Sequence, residues 1–155
     1  MEFISVESAE DVLLDSVRQM FEDYARELGV DLCFQGFQQE LLVLPGKYAP
    51  PRGCLLLLRV DGEIAGCGAF RDLGENVVEL KRIYVVPSYR GKGLGKVITQ
   101  ELIRRSEIAG YRIVRLDTLR RLAPALALYE SLGFVEIEAY NFNPEPDIVY
   151  LERSL

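Results

Sequence analysis

The stretch from Asn76 to Val86 constrains the fold most. It is rich in β-branched residues, stops at Pro87 and runs into a glycine-rich turn. Proline fixes its own φ and has no N–H to donate, so a strand does not continue through it. Beyond the turn comes a helix from about Gly93 to Ala109, with Leu94, Ile98, Leu102 and Ile108 as its apolar side. Arg112 to Thr118 then reads as a strand again. A strand, a tight turn, a long helix and another strand require helices layered on a sheet.

The flanking sequence supplies the remaining elements. Glu2 to Glu7 alternates like a short strand, and Ser8 is the expected N-cap, with Asp11 in the first turn, of a helix running to about Glu27. Val12, Leu13, Val17, Met20, Phe21, Tyr24 and Leu28 keep its helical spacing, and Gly29 ends it. A shorter helix is expected over Gly36 to Val43, and Leu44 to Pro51 is a loop because it ends on two prolines. Gly53 to Val60 and Glu63 to Asp72 form a hairpin about Asp61-Gly62. Ala123 to Leu132 is a helix ended by Gly133, Phe134 to Ala139 a strand, and Ile148 to Glu152 a strand closing the sheet. The class is α/β with a mixed sheet, in one domain over residues 1–155.

Composition narrows the function. Hydrophobic residues at 49% and charged residues at 27% fit a soluble globular domain. The longest aliphatic block, Leu55 to Leu58, is too short to span a bilayer. The first residues lack the basic-then-apolar pattern of a signal peptide, so no membrane partner and a cytoplasmic location are expected. A net charge of −6 argues against a general nucleic-acid binder and is compatible with a cationic substrate. Cys33, Cys54 and Cys67 form no Cys-x-x-Cys pair and the chain has no histidine, so no metal site is expected and the thiols are expected to be buried and reduced. Without histidine, a side-chain base must be a carboxylate, tyrosine, thiol or lysine, unless water or backbone does the work.

Arg90-Gly91-Lys92-Gly93-Leu94-Gly95-Lys96 is the most informative segment. Three glycines in five residues let the backbone turn sharply and approach a bound group closely. The first N–H groups of the helix that follows lack intrahelical acceptors, and with the helix dipole they favour an anion. Arg90, Lys92 and Lys96 add positive charge in a chain that is negative overall. The segment therefore reads as a phosphate cradle. It is not a Walker A loop, because Lys96 stands where the second glycine belongs and Val97 follows; the same lysine breaks the dinucleotide fingerprint. Packing alone would explain glycines, but not their coincidence with a strand exit, three cations and a helix start.

The same residues carry a family resemblance. Arg90 to Gly95 resembles the Gln/Arg-x-x-Gly-x-Gly/Ala loop of the GNAT-superfamily N-acetyltransferases. Glu79-Leu80-Lys81-Arg82-Ile83-Tyr84-Val85-Val86-Pro87 looks like that family's fourth strand, and Ala127-Leu128-Tyr129-Glu130-Ser131-Leu132-Gly133-Phe134 like its later Leu-Tyr-x-x-x-Gly-Phe segment. All three occur in the family's order and spacing, and the resemblance covers most of the chain from the first helix onward.

The resemblance implies a mixed, mostly antiparallel central sheet of about six to seven strands flanked by helices. It implies acetyl-CoA as cosubstrate, with its pyrophosphate on Arg90, Gly91, Lys92, Gly93, Leu94, Gly95 and Lys96. Backbone groups of Ile83, Tyr84 and Val85, exposed where the strand splays at a bulge, would pair with the pantetheine arm and the thioester carbonyl. Tyr129 matches the tyrosine that protonates the departing thiolate; a core tyrosine between Leu126 and Leu132 is the alternative. Glu79 occupies the position from which many members supply the base, against the alternative of a salt-bridged strand residue, and Asp117 is the second candidate. Cys67 could carry an acyl group only as a thiolate, which no histidine is present to generate. Leu122 stands where many members have an asparagine that contacts the cofactor arm. The implied reaction is direct attack of an amine, a small molecule or a peptide N-terminus, on acetyl-CoA. Its acceptor would be held by Phe34 to Tyr48 and by Tyr140 to Glu145. A non-catalytic acyl-CoA sensor is the competing reading, and homodimers are frequent in the family.

Overall fold

In the computed structural model, which describes residues 1–29, 32 and 36–155, seven strands form one mixed sheet. They are β1 (Glu2–Ser5), β2 (Cys54–Val60), β3 (Glu63–Gly74), β4 (Val77–Val85), β5 (Ile113–Leu119), β6 (Val135–Ile137) and β7 (Ile148–Ser154). Their order across the sheet is β1-β2-β3-β4-β5-β7-β6. Every neighbouring pair is antiparallel except β4 and β5, which are joined through a helix and run parallel. The helices are α1 (Leu14–Leu28), α2 (Phe37–Leu42), α3 (Leu94–Ile108) and α4 (Ala123–Ser131). Cys33 and Phe34 lie outside the described residues.

Helices cover both faces of the sheet, and β2 records this in its sequence. Leu55 to Leu58 are all buried, alternating between two cores: Leu56 and Leu58 pack with α3, Leu55 and Leu57 with α1 and α2. An aliphatic run without polar alternation is what a strand covered on both faces requires. At the β2–β3 turn, Asp61 and Gly62 both have positive φ (+50° and +80°), the twist that a two-residue hairpin favours.

α3 lies close on β3 because glycine leaves room for it. A Cβ on Gly68 would stand 2.8 Å from Ile98 Cγ2 and 2.9 Å from Leu102 Cδ1. Gly68→Val is therefore expected to lower the unfolding free energy by about 1–3 kcal/mol through overpacking. Denaturant unfolding measures it, and an unchanged midpoint would contradict this packing.

Two sequence expectations need correction. α1 begins at Leu14, not at Ser8, because the Asp11 carboxylate accepts the Leu13 N–H at 2.8 Å and holds a turn first; Val12 is consequently 91% exposed. On α3, Ile108 is 72% exposed, since six residues past Leu102 lies on the far side of a helix. Ser106 continues the buried stripe instead, with its hydroxyl donated to the Leu102 carbonyl at 2.8 Å. No helix among the described residues is long and apolar enough to cross a membrane.

Candidate active site

The site begins with a bulge in β4. Cys67 pairs with Tyr84 and Ala69 with Lys81, so Arg82 and Ile83 together oppose Gly68. Arg82 adopts φ +60°, a left-handed conformation costing roughly 1–2 kcal/mol in a residue with a side chain. A buried ion pair holds it there. Arg82 Nε and Nη2 donate to the two Glu40 oxygens at 2.9 and 3.0 Å, and Lys47 Nζ stands 3.1 Å from Glu40 Oε1. Burial raises the Glu40 pKa, but Arg82 and Lys47 outweigh it and hold the carboxyl below its usual range. Lys81 faces the α1–α2 side by ordinary alternation and the bulge brings Arg82 to that same side, while Leu80 and Ile83 pack on the α3 side. Cys67 is fully buried beside it, donating to the Arg82 carbonyl at 3.3 Å, and burial pushes its thiol up to about 12. That environment does not produce a thiolate.

Just before the bulge the sheet opens. β4 and β5 pair only from Val77–Ile113 to Glu79–Arg115 and then diverge. The gap holds a cavity of about 200 Å³. Leu80, Ile83 and Tyr129 line it from the α3–α4 side, and Lys81, Asp117, Tyr24 and Leu28 from the α1 side. Leu122 and Asn143-Pro144-Glu145 lie at its rim.

The candidate side chains differ sharply in setting. Glu79 is 1% exposed and does not line the cavity. It accepts the Tyr140 hydroxyl at 2.6 Å and Arg71 Nε at 2.9 Å, with Lys81 Nζ at 3.7 Å. Burial raises its pKa, and Lys81, Tyr140 and Arg71 together bring it below the ordinary carboxylate value. Asp117 faces the cavity; burial raises its pKa, the charge of Lys81 opposes this, and no hydrogen bond among the described residues contributes. Tyr129 packs edge-on against Phe134 at 5.9 Å, and burial raises its pKa, so it stays protonated at neutral pH. In the expected acceptor segments, Asn143 to Glu145 line the cavity, whereas the described residues 36–48 do not. Glu40 of that second segment supports the bulge instead.

The glycine loop stands at the end of the same strand. Gly91 and Gly93 have φ +80° and +76°, and a Cβ on either would meet nothing within 4 Å. Their glycine character therefore serves the turn and the open approach, not packing. The first helical hydrogen bond of α3 runs from Val97 N to Gly93 O, leaving the N–H groups of Leu94, Gly95 and Lys96 without intrahelical acceptors. Lys92 and Lys96 are exposed beside them. Arg90 points elsewhere, donating to Glu27 at 2.7 Å and to the Val85 carbonyl at 3.0 Å. After Glu79, the edge of β4 that faces β5 has no strand partner among the described residues. An anion seat, an unpaired strand edge and a cavity in line suit a phosphate joined to an amide-bearing arm that ends in a reactive group.

The Acetyltransferase (GNAT) family matches residues 14–134. The chain belongs to the GNAT family. An uncharacterized N-acetyltransferase of Schizosaccharomyces pombe is 41% identical over 144 residues, 92% of this chain and 88% of that protein. A GNAT-family acetyltransferase structure from Staphylococcus aureus superposes with a TM-score of 0.78 at 18% identity, covering 99% of both chains. A structure from Salmonella typhimurium solved with its cofactor acetyl-CoA superposes at 0.67 and 17% identity, covering 99% of this chain and 94% of that one. The chain is thus an acyltransferase with the GNAT fold. Lys81 and the Arg82–Glu40 pair are the residues of this GNAT site that sequence reasoning missed. Three charged residues, Glu79, Lys81 and Arg82, in an otherwise apolar strand were the available signal.

Proposed function

We propose that this enzyme transfers the acetyl group of acetyl-CoA to a primary amine bound in the gap between β4 and β5. The observation that carries the reading is the divergence of those strands past Glu79 and Arg115, with the cradle at one end and Tyr129 and Asp117 in the opening. Acetyl-CoA supplies an acyl group activated as a thioester. The backbone of Gly91 to Lys96 would hold its pyrophosphate, assisted by Lys92 and Lys96, and the open edge at Ile83 to Val85 its amide-bearing arm.

The roles of the side chains follow from their faces. Asp117 attracts the acceptor's ammonium into the cavity, where it presents a carboxylate to that charge. Tyr129, on the opposite side of the gap, donates its hydroxyl proton to the departing sulfur. Glu79 keeps Lys81, Arg71 and Tyr140 in place beneath the cavity. The cavity of about 200 Å³ has room for the thioester end and the amine group that attacks it. We place the activity in the cytoplasm.

A panel of small amines and peptides, assayed with acetyl-CoA for thiol release and acetylated product, tests the reading. At least one amine is expected to turn over. Tyr129→Phe is expected to reduce kcat by about a hundredfold while leaving acetyl-CoA binding unchanged. Full turnover by that variant would remove the acid role from Tyr129.

A further inference from the structure

We propose that Lys81 is the general base that takes the proton from the acceptor's ammonium, in place of either carboxylate. This rests on the acetyltransferase reading above. Strand alternation from the Glu79–Arg115 pair sets Lys81 on the same side of the sheet as Asp117, at the point where β4 and β5 part. Its side chain is 9% exposed, lines the cavity with Tyr129 and Asp117, and stands 3.7 Å from Glu79 Oε1.

The other candidates are poorly suited. The chain contains no histidine, and the Cys67 thiol is sealed in the core. Glu79 lies off the cavity with its oxygens already accepting from Tyr140 and Arg71. Asp117 lines the cavity, but a carboxylate is a weak base toward an alkylammonium even when burial raises it. A partly neutral amine is a far stronger one.

The surroundings of Lys81 favour the neutral amine. It faces Glu79 and Arg82 on β4, Asp117 on β5 and Lys47 in the turn after α2. Burial lowers its pKa most, Arg82 and Lys47 add to that, and Glu79 and Asp117 oppose it, leaving it at about 8. About a tenth of the lysine is then neutral at pH 7 and half at pH 8, within the range in which a general base works best.

The proton balance closes. The first ammonium proton passes to Lys81 Nζ and on to solvent. The acceptor nitrogen then bonds to the acetyl carbon as the carbon–sulfur bond breaks. Sulfur leaves with the Tyr129 proton, and the second nitrogen proton restores the tyrosine. Because neutral Lys81 is the active form, kcat rises with pH through about 8 and levels off above it.

Two measurements on the full chain test this. The protein has four lysines, Lys47, Lys81, Lys92 and Lys96, so their Nζ signals can be followed by NMR in 15N-lysine protein, with and without acetyl-CoA. One signal is expected to titrate near pH 8 and to be missing from Lys81→Arg; titration of all four above about 10 would overturn the proposal. In the transfer assay, using whichever amine of the panel turns over, Lys81→Arg and Lys81→Met are expected to bind acetyl-CoA as the wild type does. Both should lose about a hundredfold in kcat and the rise through pH 8. Retention of that rise and of wild-type kcat in Lys81→Arg would overturn the role of Lys81 alone. Turnover of no amine by the wild type would overturn the acetyltransferase reading, and this one with it.

Discussion

Glu40→Ala is expected to lower the unfolding free energy by about 3–5 kcal/mol, the cost of leaving one partner of a buried ion pair without the other. Arg82 is 3% exposed and its guanidinium spends two donors on Glu40. Loss of the carboxylate removes two charge-assisted hydrogen bonds from a buried guanidinium, at a residue already held in a left-handed conformation. The bulge is the first structure expected to relax, so the variant should lose the geometry of the cavity as well as stability. Glu40→Gln, which keeps the shape and one acceptor, should cost less. Acid acts like the glutamine, removing the charge while keeping the shape. The Glu40 carboxyl is held below its unfolded value, so its contribution is present above the usual carboxylate range and is lost as pH falls through the folded value. Denaturant unfolding at pH 7 measures the main effect. A loss under about 1 kcal/mol, the range of an exposed pair, would mean that Arg82 finds equivalent partners or water.

The site and the fold were legible in the sequence to different depths. Local signals read well. Asp61-Gly62 marks its own hairpin, Pro87 stops β4, and Gly91 and Gly93 sit in turns that only their residue type allows cheaply. Features set by distant partners did not read. Nothing near Arg82 in the chain signals a positive φ, because what stabilises it is Glu40, forty-two residues away. Arg90 reads as a charge for the cradle, yet Glu27, sixty-three residues distant, claims its guanidinium. Ser106 reads as polar surface but closes the buried stripe of α3 by satisfying its hydroxyl within the helix. Glu79 belongs to the same class: its position in the strand was legible, while the Tyr140 and Arg71 donors that fill it come from other elements.

The second large effect is expected at the cradle. Gly93 is the N-cap residue of α3, has φ +76°, and a Cβ there would enter open space. Aspartate caps helices well and tolerates left-handed backbone better than most residues, so the strain at that φ is expected to cost about 1 kcal/mol of stability without preventing folding. Its carboxylate, however, would stand where the Leu94, Gly95 and Lys96 N–H groups await an anion. One like charge about 4 Å away near a protein surface costs about 4 kcal/mol, equivalent to roughly a thousandfold in Kd. Gly93→Asp therefore separates ligand binding from folding, which a bulky substitution in the core would not do.

Calorimetric titration of the folded protein with acetyl-CoA, beside Gly93→Asp, tests the central claim most directly. The account predicts a micromolar Kd for the wild type and no measurable binding by a variant that still folds and unfolds cooperatively. A folded wild type that takes up no acetyl-CoA, or a variant that binds it equally well, would contradict the assignment of the glycine loop as the seat of the pyrophosphate.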